Sequence, residues 1–293
     1  MAAIQNFKAI NDAYAAGQTK LSTWRKAPTQ TTATGIWFDL SMSPGNPIPN
    51  YYAAAPLTFT ALKQSTDYGL PHGGSVSPSV KYLHKLLITP MGVATLAPTT
   101  VMLLDYVGYY PFIDMADTIE MVGATVLPRH TDGEGLQIMA VEVASQIGGV
   151  ASFFLTYTNQ DGTAGRTSAT CFCNTQVVNG TIINSAAAPT ATYPSGPFIP
   201  LQRGDTGVRS IESITWLTAD VGLITLVLVK PLATIALENI SNTIYSPKEV
   251  DFAFSNAGKL PVIEDDAYLN FICLPTGTLS GGQFYGTIET IWS

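Results

Sequence analysis

"VRSIESITWLTADVGLITLVLVKPLATIAL", residues 208–237, decides the fold. Its opening run alternates, with Val208, Ile214 and Trp216 on one parity and Ile211 and Leu217 on the other. A two-residue period is the signature of a strand with two unlike faces. Ala219-Asp220 interrupts the run, and a second apolar run begins at Val221. That order predicts an antiparallel pair of strands joined at 219–220. The second run is too short for a membrane span and is broken by Thr225, so it reads as a buried strand.

The same grammar extends in both directions. Upstream, "VASFFLTYTNQDGTAGRTSATCFCN" (150–174) holds two β-prone runs around Asp161-Gly162 and Gly165, which supply the turn chemistry of a hairpin. "QVVNGTIINSA" (176–186) predicts a second hairpin about Asn179-Gly180. A proline-rich loop occupies 188–207. Further strands are expected at 99–115, 135–145, 267–277 and 282–292. Between 99 and 292 no long helical pattern separates the strands, which excludes a βαβ architecture. The expectation is an all-β body over 85–293, an antiparallel, jelly-roll-like β-sandwich.

Residues 1–84 read differently. Ile4, Phe7, Ile10 and Tyr14 fall on one face of a short helix that Gly17 would stop. Prolines at 44, 47, 49, 56, 71 and 78 rule out a regular central strand over 42–79. The stretch is nevertheless rich in aromatic anchors, unlike a disordered linker. It reads as an extended N-terminal arm, with Ile4, Phe7, Ile10, Tyr14, Trp24, Trp37, Tyr51, Tyr52 and Phe59 as the residues expected to grip a neighbouring subunit. The alternative is that the arm wraps its own body. "KYLHKLLITPM" (81–91) suits a strand or a short helix equally.

Composition narrows the function. Charged residues make up 12%, about half the usual share. Few charges suit a surface that ends against other subunits. Net charge is -7, and no basic cluster exceeds Arg25-Lys26, which disfavours direct nucleic-acid binding. The first residues lack the pattern of a secretory signal, and no membrane association is expected. Cys171, Cys173 and Cys273 are an odd count and read as reduced, buried thiols.

Motifs of chemistry are sparse. His72, His84 and His130 stand outside any metal-ligand spacing, and His72 and His130 read as surface histidines. There is no Gly-x-Ser-x-Gly elbow and no phosphate loop. Carboxylates gather at Asp114, Asp117 and Glu120, at Asp132 and Glu134, and at Glu264, Asp265 and Asp266. They lack the spacing of a calcium loop. Asp114 and Asp117 are expected to accept loop amides or to pair with Arg129. The reading is a protein without catalytic residues, metal or cofactor.

Three stretches carry a resemblance: 109–139, with "YYPFIDMADTIE" and "LPRHTDGEGLQIM"; 155–168, "LTYTNQDGTAGRTS"; and 207–235, with "GVRSIESITW" and "LVLVKPLATI". They resemble proteins encoded among the virion genes of tailed bacteriophages. The matching residues include Pro111, Asp114, Asp117, Arg129, Asp132, Gly133, Asn159, Arg166, Lys230 and Pro231. The resemblance spans roughly 99–292 and is weaker over the first 80 residues. It implies a non-enzymatic shell component, a capsid decoration (cement) or minor capsid protein. Its partners would be the major capsid protein, other virion subunits and further copies of itself. Its place would be the virion, after assembly in the host cytoplasm. The absence of a long helix and of a scaffold segment favours the accessory role over the major shell protein. The alternatives are a tail or fibre protein, a carbohydrate-binding module using Tyr109, Tyr110 and Trp216, and a glycan-cleaving enzyme using the clustered carboxylates.

Overall fold

Strands dominate the computed structural model, which describes residues 4, 6–92, 99–147, 151–185, 196–241, 244–245, 247–255 and 259–293. After the short helix α1 (Phe7–Ala15) come ten principal strands. They are β1 (Thr19–Lys26), β2 (Lys81–Met91), β3 (Thr99–Asp114), β4 (Ile119–Met121) and β5 (Gln137–Ala144), then β6 (Ser152–Asn159), β7 (Val208–Thr218), β8 (Leu223–Leu237), β9 (Leu269–Leu274) and β10 (Gln283–Trp292). The ambiguous run 81–91 is therefore a strand, and its alternately buried side chains pack like one.

Three antiparallel sheets build a sandwich-like fold. The central sheet runs β9-β3-β8-β5, with Phe38–Asp39 at its β9 edge. A second sheet runs β2-β10-β1, bounded by Lys248–Asp251 and Gly45–Asn46. The third runs β6-β7-β4, with Arg166–Thr167 and Cys171–Phe172 added to β6. On β3 the period of two sends Val101, Leu103 and Val107 to one face and Leu104 and Tyr106 to the other. Val101 and Leu103 pack with the second sheet through Trp24, Leu86, Phe284 and Ile288. Val107 packs with the third sheet through Phe153, Leu155, Ile214 and Trp216. Two sheets thus share one face of the long central strands. The opposite face is covered by loop residues, among them Tyr52, Leu62 and Ile182.

The strand β8 serves both layers because its register against β3 slips between Pro231 and Ala233. The extra residue lets Leu226 and Leu228 line one core and Ala233 and Ile235 the next. Pro231, which has no N–H, sits at the irregularity, the place where a sheet tolerates it.

Two sequence expectations require correction. First, β7 and β8 are strands but not a pair: β7 lies between β6 and β4, and β8 between β3 and β5. The link crosses from one sheet to the other. Asp220 N donates to Met115 O at 3.1 Å and Met115 N to Gly222 O at 3.1 Å, so the end of β3 holds the crossing. Gly222, at φ 130°, turns the chain there. Second, Asn179-Gly180 makes a turn but no hairpin. Thr181 N still donates to Val178 O at 3.0 Å, but Thr181 bridges Phe38 and Ile182 bridges Val141, so the arm after the turn pairs with other segments. The hairpin expected around Gly162 does form, with Tyr157 opposite Arg166 and Phe153 opposite Cys171. Residues 186–195, which include the start of the proline-rich loop, lie outside the described residues.

The N-terminal residues join the body. Asn6 caps α1 by accepting Ala9 N at 2.9 Å, and Gly17, at φ 69°, ends it. Then β1 pairs along its length with β10, from Thr19 opposite Ile291 to Lys26 opposite Phe284. Among the described residues no helix is long and apolar enough to cross a membrane.

Candidate interaction surface

The nine anchor residues separate by burial. Ile4, Trp24 and Tyr52 are 5%, 2% and 0% exposed, inside the chain's own cores. Trp24 stacks on Phe271 with ring centroids 4.0 Å apart. Tyr52 adopts φ 54° and donates to Asp39. Those three side chains are structural. Ile10, Trp37 and Phe59 are half-buried against the same cores. Phe7, Tyr14 and Tyr51 stay exposed.

Phe7 meets a partner that sequence reasoning missed. Phe254, from the turn Phe252–Ser255, lies 5.1 Å from it between ring centroids. The pair is 55% and 74% exposed, which is unusual for two aromatics in contact. Nothing near Phe254 in sequence signals this, because the contact joins residues far apart in the chain. Behind them Tyr14 and His84 Nδ1 are hydrogen-bonded at 2.9 Å, and His84 lies 3.5 Å from Asp251 and 3.6 Å from Glu289. This network seats α1 on the second sheet. Burial holds the His84 pKa below its usual value against the pull of Asp251 and Glu289. Burial, then Glu289, holds that of Tyr14 high.

A second apolar area faces outward from the third sheet. Ile119 and Met121 of β4 are exposed, and Leu217 of β7 is exposed on the adjoining strand. The register places Thr215 opposite Ile119, so Leu217 is its diagonal neighbour on that face.

Tyr109, Tyr110 and Trp216 are 4%, 0% and 3% exposed. They are core residues, and the sugar-binding role suggested for them is overturned.

The charged residues mostly serve the framework. Arg129 does not meet Asp114 or Asp117. It grips buried Asp105 through both carboxylate oxygens and also donates to Leu62 O at 2.7 Å and Tyr106 O at 2.7 Å. His130 Nε2 lies 3.1 Å from the same carboxylate. Burial alone would raise the Asp105 pKa, but the hydrogen bonds from His130 and Arg129 bring it below its usual value. His72 is also interior, 1% exposed rather than on the surface. Its Nε2 reaches Ala267 O at 2.9 Å and its Nδ1 lies 3.1 Å from Lys81 Nζ. Burial, then the Lys81 charge, lowers its pKa to about 4, so it is neutral.

Asp114 accepts Ala116 N at 2.8 Å, a loop amide as expected. Burial, then Asp117 and Asp114, pushes the Glu120 pKa up to about 7. Asp132 and Glu134 hold a separate turn, where Asp132 accepts Glu134 N at 3.1 Å and Glu134 accepts Thr206 Oγ1 at 2.9 Å. Among the described residues no group of three or more His, Cys, Asp or Glu is placed to hold a metal ion. The three cysteines are free and buried, and burial raises the Cys171 thiol to about 12.

No protein-family model matches this chain, and no curated protein does. Among solved structures it aligns with the VP2 subviral particle of infectious bursal disease virus at 10% identity, over 94% of this chain and 80% of that one, with a TM-score of 0.18. The Gx strain of the same virus aligns at 11% identity over 94% and 80% of the two chains, with a TM-score of 0.19. Particles of T=1 type derived from that virus align at 9% identity, over 93% and 77%, with a TM-score of 0.17.

Proposed function

We propose that this chain is a non-enzymatic structural subunit of a bacteriophage virion, of the capsid decoration or minor capsid kind. It would be held in place by contacts with the major capsid protein and with further copies of itself. The observation that carries the reading is the exposed Phe7–Phe254 pair, presented on a rigid body of low charge. Aromatic side chains exposed in contact mark surfaces that become buried on association. The sequence resemblance of 109–139, 155–168 and 207–235 to phage virion proteins points the same way. In a symmetric shell each contact repeats, so a small apolar patch suffices where an isolated complex would need a large one.

The test is incorporation. The double substitution Phe7→Asp, Phe254→Asp changes only exposed aromatic side chains, so thermal melting should stay within a few degrees of the wild type. The variant is expected to be lost from purified particles by at least about tenfold, the scale of one hot-spot contact. Undiminished incorporation of a folded variant counts against this surface as the attachment site.

A further inference from the structure

The Asn179-Gly180 turn, which makes no hairpin, builds something else. Together with Phe38, Met42, Ser43 and Tyr51 it lines a concave notch of about 120 Å³. The walls are held firmly. Ser43 N donates to Leu40 O at 3.0 Å, and Ser43 O accepts Lys26 Nζ at 3.2 Å. The same buried ammonium donates to Pro47 O at 2.9 Å and so ties the 41–47 loop to β1. On the other wall Gly180 N donates to Glu142 O at 2.8 Å, and Asp39 N to Gly180 O at 2.8 Å. A Cβ on Gly180 would meet the Phe38 ring at 2.8 Å, so the turn sits tight against that wall.

With the backbone committed, the side chains are left over. Ser43 Oγ and Asn179 Oδ1 are buried and have no hydrogen-bond partner. Ser43 is 3% exposed. Leaving such atoms unpaired costs free energy that an incoming hydroxyl can offset. Tyr51, 59% exposed, stands at the rim with its ring free. None of the lining residues is charged, and Gln30 on the rim adds a second amide. Hydroxyl and amide groups beside an open aromatic ring, with no charge, match the chemistry of a neutral sugar. Such a ring offers alternate hydroxyls and one apolar C–H face for stacking.

We propose that this notch is a subsite for one neutral terminal sugar residue of a glycan, stacked on Tyr51 and hydrogen-bonded to Asn179 and Ser43. Its volume is that of about four water molecules, so it takes the edge of one ring rather than enclosing a chain. Affinity for a single sugar falls in the millimolar range, as expected for so few contacts. On a particle, many copies would act together. The proposal concerns this chain alone and stands whether or not the chain is a virion subunit.

The experiment is saturation-transfer NMR with methyl glycosides of glucose, galactose, mannose and N-acetylglucosamine, and with N-acetylneuraminic acid as the anionic control. At least one neutral glycoside should receive saturation at up to about 20 mM, and the control should not. The double substitution Tyr51→Ala, Asn179→Ala should weaken that binding at least about tenfold while melting stays near the wild type. No transfer to any neutral glycoside, as from a notch that holds only water, would overturn the proposal. So would binding that the double substitution weakens by less than about tenfold, or equal binding of the anionic sugar.

Discussion

Asp105 shows how individual residues carry this fold. Its carboxylate lies in the central sheet, 1% exposed, and Arg129 meets it with two nitrogens. Tyr268 N donates to it at 3.1 Å. Removing the guanidinium would leave a buried charge without its main partner. Arg129→Met should therefore lower the unfolding free energy by about 3–5 kcal/mol, read by urea denaturation. Glu142 gives the opposite lesson. It is fully buried beside Gln146, which donates its N–H at 3.1 Å, and burial lifts its pKa from 4.5 to about 7. The raised value means that the folded chain holds this proton more tightly than the unfolded one. Its contribution is present in full below 4.5 and is lost as pH rises through about 7. Glu142→Gln should remove that part of the pH slope. Above about pH 8 it should stabilise the protein by up to about 3 kcal/mol, measured by denaturation across the range.

Among the elements, β10 is held on both sides, because it runs between β2 and β1 in the second sheet. Gly286 lies opposite Trp24 across one pairing and Ile88 across the other. A Cβ there would meet Leu87 O at 1.9 Å and Trp24 Nε1 at 2.6 Å. Gly286→Ala should cost at least about 1–3 kcal/mol, seen as a lower melting temperature with the β spectrum retained. The strands themselves were legible from alternation, as in 208–237, but their partners were not. Whether β7 pairs with β8 depends on what holds the 219–222 link, and that is the distant end of β3. The strand β1 stayed hidden for a different reason. Its inward side chains are Ser22, Trp24 and Lys26, so two polar residues mask the apolar period. Lys26 can be inside only because three carbonyls, those of Ser41, Ser43 and Pro47, receive its ammonium. The same long-range dependence hid the Phe7–Phe254 pair and the notch at Asn179. Each joins segments that no local pattern connects.

For the whole molecule, the expected boundary at 84/85 crosses two interlocked parts. The strand β1 and the 37–62 loops complete cores that the later strands begin. A truncation through residue 34 would remove a sheet strand together with Trp24, and so would test folding rather than attachment. The helix α1 buries only Ala13 fully, with Ala9 and Ile10 packed against the same core. The molecule offers a β frame, few charges and apolar side chains on its outside. The claim that it serves a virion shell is tested most directly by locating it in purified particles by cryo-electron microscopy. Density matching the three-sheet body should repeat with icosahedral symmetry over the shell, with the Phe7–Phe254 face against a neighbouring subunit. A chain absent from the particle, or present only as a ring or spike at one vertex, would contradict it.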